Sequence, residues 1–138
     1  MFVSGDSRVN ENIVLTSMNT LFAREHNRIA ENAAALFPFM SDDDIFTYAK
    51  NCVIALICKI TYDDYLPLLL GENRNLQPFK GYDPEVDPAI SNVFSTVALR
   101  YGHFTVPFHV LKIDHEGKLV KKIKVRDSIR NPSTVTKK

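Results

Sequence analysis

The sequence predicts a mainly α-helical fold with a short β-hairpin near its C-terminal end, and three observations predict it. Residues 15–37 and 87–103 carry apolar side chains at the 3.6-residue period of a helix, and residues 42–61 form a third helix-compatible run. Each run has a helix-starting residue at its N-terminal end. After residue 107 the helical period gives way to two short runs separated by a glycine-containing turn, the pattern of a hairpin. A chain of 138 residues suits one domain with a modest core.

In the first helix, 15–37, Met18, Phe22, Ile29, Ala33 and Leu36 fall on one stripe, and Thr16 or Ser17 is positioned to cap its start. Glu25 lies within that stripe. A carboxylate on a buried face needs a partner, so Arg24-Glu25-His26-Asn27-Arg28 reads as a partly buried ionic network, structural rather than catalytic. The second helix, 42–61, follows the N-cap Ser41, and Asp42, Asp43 and Asp44 favour its positive end. From Cys52 to Ile57 it is apolar all round, which predicts burial on most sides. Residues 61–70 read as a short helix or turn broken at Pro67 and stopped by Gly71, and residues 72–86 as a polar loop.

Asp87-Pro88 opens the third helix, with aspartate as cap and proline in the first turn. Ile90, Val93, Phe94, Val97, Ala98 and Tyr101 form its apolar stripe. Asn92, Ser95, Thr96, Leu99 and His103 lie on the other side, which is mostly small. Small residues let a broad flat ligand approach a helix backbone, with His103 as its contact at the end; plain solvent exposure is the alternative, and spacing alone favours it. Phe108–Ile113 and Leu119–Val125 read as strands around the turn Asp114-His115-Glu116-Gly117. Residues 126–138 are polar with no apolar period and read as a tail or a truncated continuation. Three helices, one apolar around its waist, carry more apolar surface than so short a chain easily covers. The chain is therefore expected to be a piece of a larger protein or to need a partner.

Composition narrows the function class. With 45% apolar and 24% charged residues the chain is globular rather than disordered, and a net charge of +1 gives no reason to expect nucleic acid as a partner. The longest apolar run, Cys52 to Cys58, is too short for a transmembrane segment, and Met1-Phe2-Val3 offers no signal peptide. Cys52 and Cys58 point about 120° apart on a helix and read as two small buried hydrophobes. Asn131-Pro132-Ser133 is disqualified as a glycosylation site by its proline.

Two short segments carry the chemistry: Gly5-Asp6-Ser7-Arg8-Val9-Asn10-Glu11 and Arg100-Tyr101-Gly102-His103. A histidine at a helix end can ligate a metal axially, and an arginine stays charged at any working pH. A haem peroxidase needs an imidazole on iron and a second-shell hydrogen bond to that imidazole. It also needs a base to move a proton and a fixed positive charge near the peroxide. His103 can supply the ligand and Arg8 the charge.

These two segments, together with Leu15-Thr16-Ser17-Met18 and Arg24-Glu25-His26-Asn27-Arg28, resemble the animal haem peroxidase (peroxidase–cyclooxygenase) superfamily. Ile60-Thr61-Tyr62, Asp64-Tyr65-Leu66-Pro67, Val86-Asp87-Pro88 and Asn92-Val93-Phe94 continue the resemblance in the same order, over roughly residues 4–108, nearest to peroxidasin-like and myeloperoxidase-like members. The resemblance implies that residues 1–125 are the central part of a peroxidase domain and that the cofactor is haem b. By the same resemblance His103 is the axial ligand of the haem iron, and Arg8 is the distal arginine that helps cleave hydrogen peroxide. Glu11 is the glutamate that esterifies a haem methyl group, and Arg100 pairs with a haem propionate, a role suited to a bidentate guanidinium.

The implied reaction oxidises a small reducing donor such as a halide, thiocyanate or a phenol through a ferryl haem, in a secreted protein. Arg8 and Glu11 are then expected within about a haem's width of His103, on one wall of an apolar cleft. Three departures qualify this. Asn12 stands where chlorinating members carry a sulfur-linked methionine, so strong halide oxidation is not expected. The family's distal histidine and its calcium site lie upstream of the Gly5 motif, where this chain has only Met1-Phe2-Val3-Ser4, and the asparagine that orients the axial histidine lies downstream of Lys138. Lacking the base, the chain alone is expected to bind haem weakly and to lose roughly 10²–10⁴-fold in rate. The missing remainder of the domain is then its expected partner. The competing reading is a non-catalytic, peroxidase-derived structural or interaction module; retention of Arg8, Glu11, Arg100 and His103 together favours the enzyme.

Overall fold

The computed structural model describes residues 3–71, 78–131 and 133–136. The chain divides into two compact units, Met1–Asn75 with Ser128–Lys138, and Leu76–Asp127. The architecture is mainly helical with one antiparallel hairpin, as the sequence predicts.

The first unit is built on a helical hairpin. A 3-10 turn, Ser7–Asn10, leads into α1 (Ile13–Leu36). The N-cap of α1 is Asn12, not Thr16 or Ser17: its extended backbone turns the side-chain oxygen onto the N–H groups of Val14 and Leu15 at 3.0 and 3.1 Å. Thr16 is instead fully buried inside the first turns, its hydroxyl directed at the carbonyls of Val9 and Asn12. α2 (Asp42–Lys59) starts at Ser41 as expected, with Ser41 Oγ accepting from the Asp44 N–H at 3.2 Å. Ala33 and Ala49 are both buried, and small side chains there let the helices come close. The His26 ring packs on Phe46 with centroids 5.2 Å apart, leaving its Nε2 buried without a partner among the described residues.

The ionic network is smaller than the sequence suggests. Glu25, half-buried, accepts a bidentate pair from Arg28 at 2.7 and 2.8 Å, while Arg24 is exposed and stands outside it. Arg28 holds the Glu25 carboxyl below its ordinary range.

The expected break at Pro67 does not occur. α2 runs on through a π-helical turn, Ile60–Tyr65, into α3 (Leu66–Leu70), and Leu66 N–H reaches back to Thr61 O. A proline lacks an N–H and crowds the preceding carbonyls; the wider π turn relieves that crowding, and Pro67 sits in the first turn of α3, where no N–H is needed. The Lys59–Asp63 ion pair spans the same junction. Gly71, at φ +68°, ends the run in the left-handed region as a helix stop. The burial expected for Cys52–Ile57 is also not found: Ile54 and Ile57 are exposed, and Cys58 is exposed rather than a buried hydrophobe. The buried apolar side chains among the described residues are only Ile13, Ala33, Ala49, Ile123 and Val125.

In the second unit the polar loop lies partly outside the described residues, and from 78 to 91 it is irregular. The helix expected from Asp87 begins later and is interrupted. Asp87 turns its carboxylate onto the Ala89 N–H at 2.9 Å, a local turn that competes with helix. Ser91 is the actual cap of α4 (Asn92–Thr96), accepting from Phe94 N at 3.2 Å. A 3-10 turn, Ala98–Tyr101, and α5 (Gly102–Thr105) follow. The apolar stripe expected to hold one continuous helix is open to solvent at Ile90, Val93 and Val97, so no packing enforces the helical period across Val97.

β1 (His109–Ile113) and β2 (Leu119–Lys124) pair antiparallel, from His109 opposite Lys124 to Ile113 opposite Leu119, with a bulge near Lys112 that leaves Val120 over. Asp114 Oδ1 accepts from Glu116 N and Lys118 N, and Gly117 adopts φ +81°, so the turn read from sequence is present with its expected chemistry.

Residues 126–131 and 133–136, polar as a tail would be, contain structure. α6 (Val125–Ser128) follows β2 directly, and α7 (Ser133–Thr136) returns to α1. Ser128 is buried, its Oγ accepting from the Ile13 N–H at 3.3 Å, and Arg130 donates its backbone N–H to Glu11 O at 2.6 Å. A polar composition hid this because the ties use a serine hydroxyl and backbone groups, which leave no apolar period.

Candidate functional site

In the first unit the candidate residues sit on a single turn. Asp6, in extended backbone, caps the 3-10 turn by accepting the Arg8 N–H at 2.8 Å. The same carboxylate takes the Arg8 guanidinium: Nε donates to both oxygens at 3.1 Å and Nη2 to Oδ2 at 2.6 Å. The pairing holds the Asp6 carboxyl down at about 2, mainly through the Arg8 side chain, and raises Arg8 further. Glu11 closes the turn. Its N–H donates to Arg8 O at 3.0 Å, its carbonyl accepts from Arg130, and its side chain is exposed. Asn10 is buried at the end of the turn, and the buried Thr16 hydroxyl reaches Val9 O within it. Asn12 uses its side-chain oxygen on the helix start, so it is a structural cap.

Arg100 and His103 stand together in the second unit. Arg100 lies in the last turn of the 3-10 segment and His103 in α5, three residues on, where residues share a helical face. Both side chains are exposed, and neither has a hydrogen-bond or ion-pair partner among the described residues. Their sequence neighbours are large, apolar and open: Val97 is 67% exposed, Phe104 92%, and Leu99 and Tyr101 are exposed too. The small residues expected to face a flat ligand do not line one continuous helix, and Ser95 and Thr96 direct their hydroxyls to Asn92 O at 3.1 and 2.5 Å.

This donor set fits haem. An imidazole with unengaged nitrogens can bind iron, an unpaired guanidinium matches a propionate carboxylate, and open apolar side chains suit a macrocycle. Among the described residues no group of three or more His, Cys, Asp and Glu side chains could hold a bare metal ion. An axial haem site needs only one such ligand. No described helix is long and apolar enough to cross a membrane.

The sequence singles out Arg8, Glu11, Arg100 and His103 as candidates, gives Thr16 only the capping role that Asn12 fills, and assigns none to Asp6 or Ser128. Asp6 was the findable one: an aspartate followed by a short turn with an arginine two residues on has the signature of a cap that also reaches a cation.

A mainly helical scaffold presents an exposed histidine and arginine among exposed apolar side chains, and a capped arginine turn lies in the other unit. The family model for the animal haem peroxidases matches residues 1–138. The chain belongs to the animal haem peroxidase family. It is 45% identical to lactoperoxidase of Mesocricetus auratus over 115 residues, covering 82% of this chain and 16% of that protein. With thyroid peroxidase of Sus scrofa it shares 44% over 116 residues, 82% of this chain and 12% of the relative. The solved structure of peroxidase A from Dictyostelium discoideum superposes with a TM-score of 0.87 at 35% identity, covering 99% of this chain and 26% of that one. The chain thus spans a small part of the length of the relatives it matches.

Proposed function

We propose that this chain supplies the axial ligand and the peroxide-facing arginine of a haem peroxidase that uses hydrogen peroxide to oxidise a small donor such as a halide, thiocyanate or a phenol. The observation that carries the reading is the Arg100–His103 pair: two unengaged polar side chains, three residues apart, set among exposed apolar ones inside the family's ordered motifs. Bound haem supplies the redox-active iron that accepts the oxidising equivalents of peroxide. His103 would hold that iron through an imidazole nitrogen. Arg100 would hold a haem propionate, a role its guanidinium suits. Arg8 would offer a permanent positive charge to stabilise negative charge that develops on a peroxide oxygen. Glu11, exposed beside Arg8, would offer its carboxylate for an ester with a haem methyl. Asn12 has no sulfur for a further link, which disfavours chloride as the donor. An extracellular location goes with this reading through the family resemblance.

The test is the absorption spectrum after haem reconstitution, for the wild-type chain and His103→Ala. A Soret band lost with His103 supports the axial assignment, and a band that survives the substitution sinks it. Absence of any band in the wild type would favour a non-catalytic module instead.

A further inference from the structure

The Asp6 carboxylate does two jobs within one turn. Oδ1 caps the turn through the Arg8 N–H at 2.8 Å, and both oxygens grip Nε and Nη2 of the same residue at 2.6–3.1 Å. A guanidinium carries five N–H groups. The grip uses the Nε edge and one side of Nη2, and leaves the two N–H groups of Nη1 without a partner among the described residues. The Arg8 side chain is 81% exposed, and an exposed ion pair adds little to stability. Such a grip does, however, remove rotamers from a long side chain and so fix the direction of its remaining donors. Asp6 stays ionised far into acid, because Arg8 holds its carboxyl down at about 2.

We propose that Asp6 is the positioning residue of Arg8, holding the Nε edge so that the Nη1 edge is presented to a small anion or to peroxide. The proposal rests on the reading of Arg8 as the peroxide-facing cation. Asp6 touches no reacting atom: it acts through Arg8 alone. Without it Arg8 keeps its charge but loses its aim, so anion binding weakens without being abolished.

Asn is as good an N-cap as Asp, so Asp6→Asn separates the two jobs: it keeps the cap and loses the ionic grip. Asp6→Ser is the second cap-preserving variant, should Asp6→Asn fold poorly by circular dichroism. The first readout needs no haem. In ¹⁵N-resolved NMR of the chain, Arg8 Nε–H should exchange with water about tenfold more slowly in wild type than in either variant. Equal exchange rates overturn the proposal. The second readout is the affinity of the haem-reconstituted chain for cyanide, followed by the Soret shift. Arg8→Ala should weaken it by about 10²-fold, the scale of losing one pre-aimed donor, and Asp6→Asn by roughly 3–10-fold. If Arg8→Ala weakens cyanide but Asp6→Asn does not, the grip exists without aiming anything and the positioning role fails. If Asp6→Asn frees the Nε–H while Arg8→Ala leaves cyanide unaffected, Asp6 does hold Arg8, and the reading of Arg8 is what has failed.

Discussion

Thr16→Val is the substitution that most directly probes how the Arg8–Glu11 turn is held. Valine matches threonine in shape, so the fully buried site at Thr16 loses a hydroxyl and leaves no cavity. The hydroxyl approaches Val9 O at 3.1 Å and Asn12 O at 3.0 Å, but it has one proton, so the two contacts share a single donor. Asn12 O also accepts from the Thr16 N–H at 3.0 Å and keeps that partner in the variant. The half-buried Val9 carbonyl loses its side-chain donor. The expected cost is one net hydrogen bond plus the desolvation of one carbonyl, about 1–3 kcal/mol. For a chain of this size that is a drop of roughly 3–12 °C in Tm. The assay is thermal unfolding by circular dichroism, paired with amide exchange at Val9 and Glu11, which should speed up more than at Ala33. Thr16→Ser, which keeps the hydroxyl, should retain most of the exchange protection. A Thr16→Val chain with wild-type Tm and wild-type exchange at Val9 would refute the reasoning, since the hydroxyl would then contribute nothing to the turn.

Three further outcomes are expected. Ser128→Ala removes the acceptor for the Ile13 N–H, a donor at the start of α1 with no intrahelical partner, and should cost about 1–2 kcal/mol in a urea titration, with faster exchange at Ile13. Arg130→Gly places glycine at φ +53° and should stabilise the chain by about 0.5–1 kcal/mol in the same titration; a loss would mean that the arginine side chain contributes more than the backbone strain it carries. Asp6 has a carboxyl lowered from 3.8 to about 2, so its contribution is complete above about pH 4 and fades as pH falls from 3.8 through 2. The stability difference between wild type and Asp6→Asn should therefore shrink to nothing at the acid end, and a difference that grew on acidification would contradict the pairing.

The legible parts of the fold were those whose local chemistry and packing agree. The hairpin turn needed an aspartate to bond two backbone N–H groups and a glycine at positive φ, and Asp114 and Gly117 are in the sequence to be read. α2 was legible from Ser41 and its three aspartates. The stretch from 87 to 103 was misread because the apolar period of Ile90, Val93 and Val97 implies a helix only when something buries it, and those side chains are open. The π turn before Pro67 was invisible because nothing in residue type distinguishes a widened turn from a break. The candidates Arg8, Glu11, Arg100 and His103 come from ordered motifs, which carry information that spacing does not. Asp6 and Thr16 act through hydrogen bonds to near neighbours, and Ser128 through one to a distant backbone group, so no periodicity points to any of them.

The bond from Ile13 N–H to Ser128 joins residues 115 positions apart, and Arg130 reaches Glu11 over a similar span. Closing a loop of that length costs conformational entropy, and contacts of such high sequence separation slow folding. The turn bearing Arg8 is therefore synthesised long before the residues that fix it. During that interval α1 can already be helical while its leading turn is still unanchored. Order at the Glu11 end of the turn thus depends on residues more than a hundred positions away, while the Asp6 grip that holds Arg8 is complete within the turn itself.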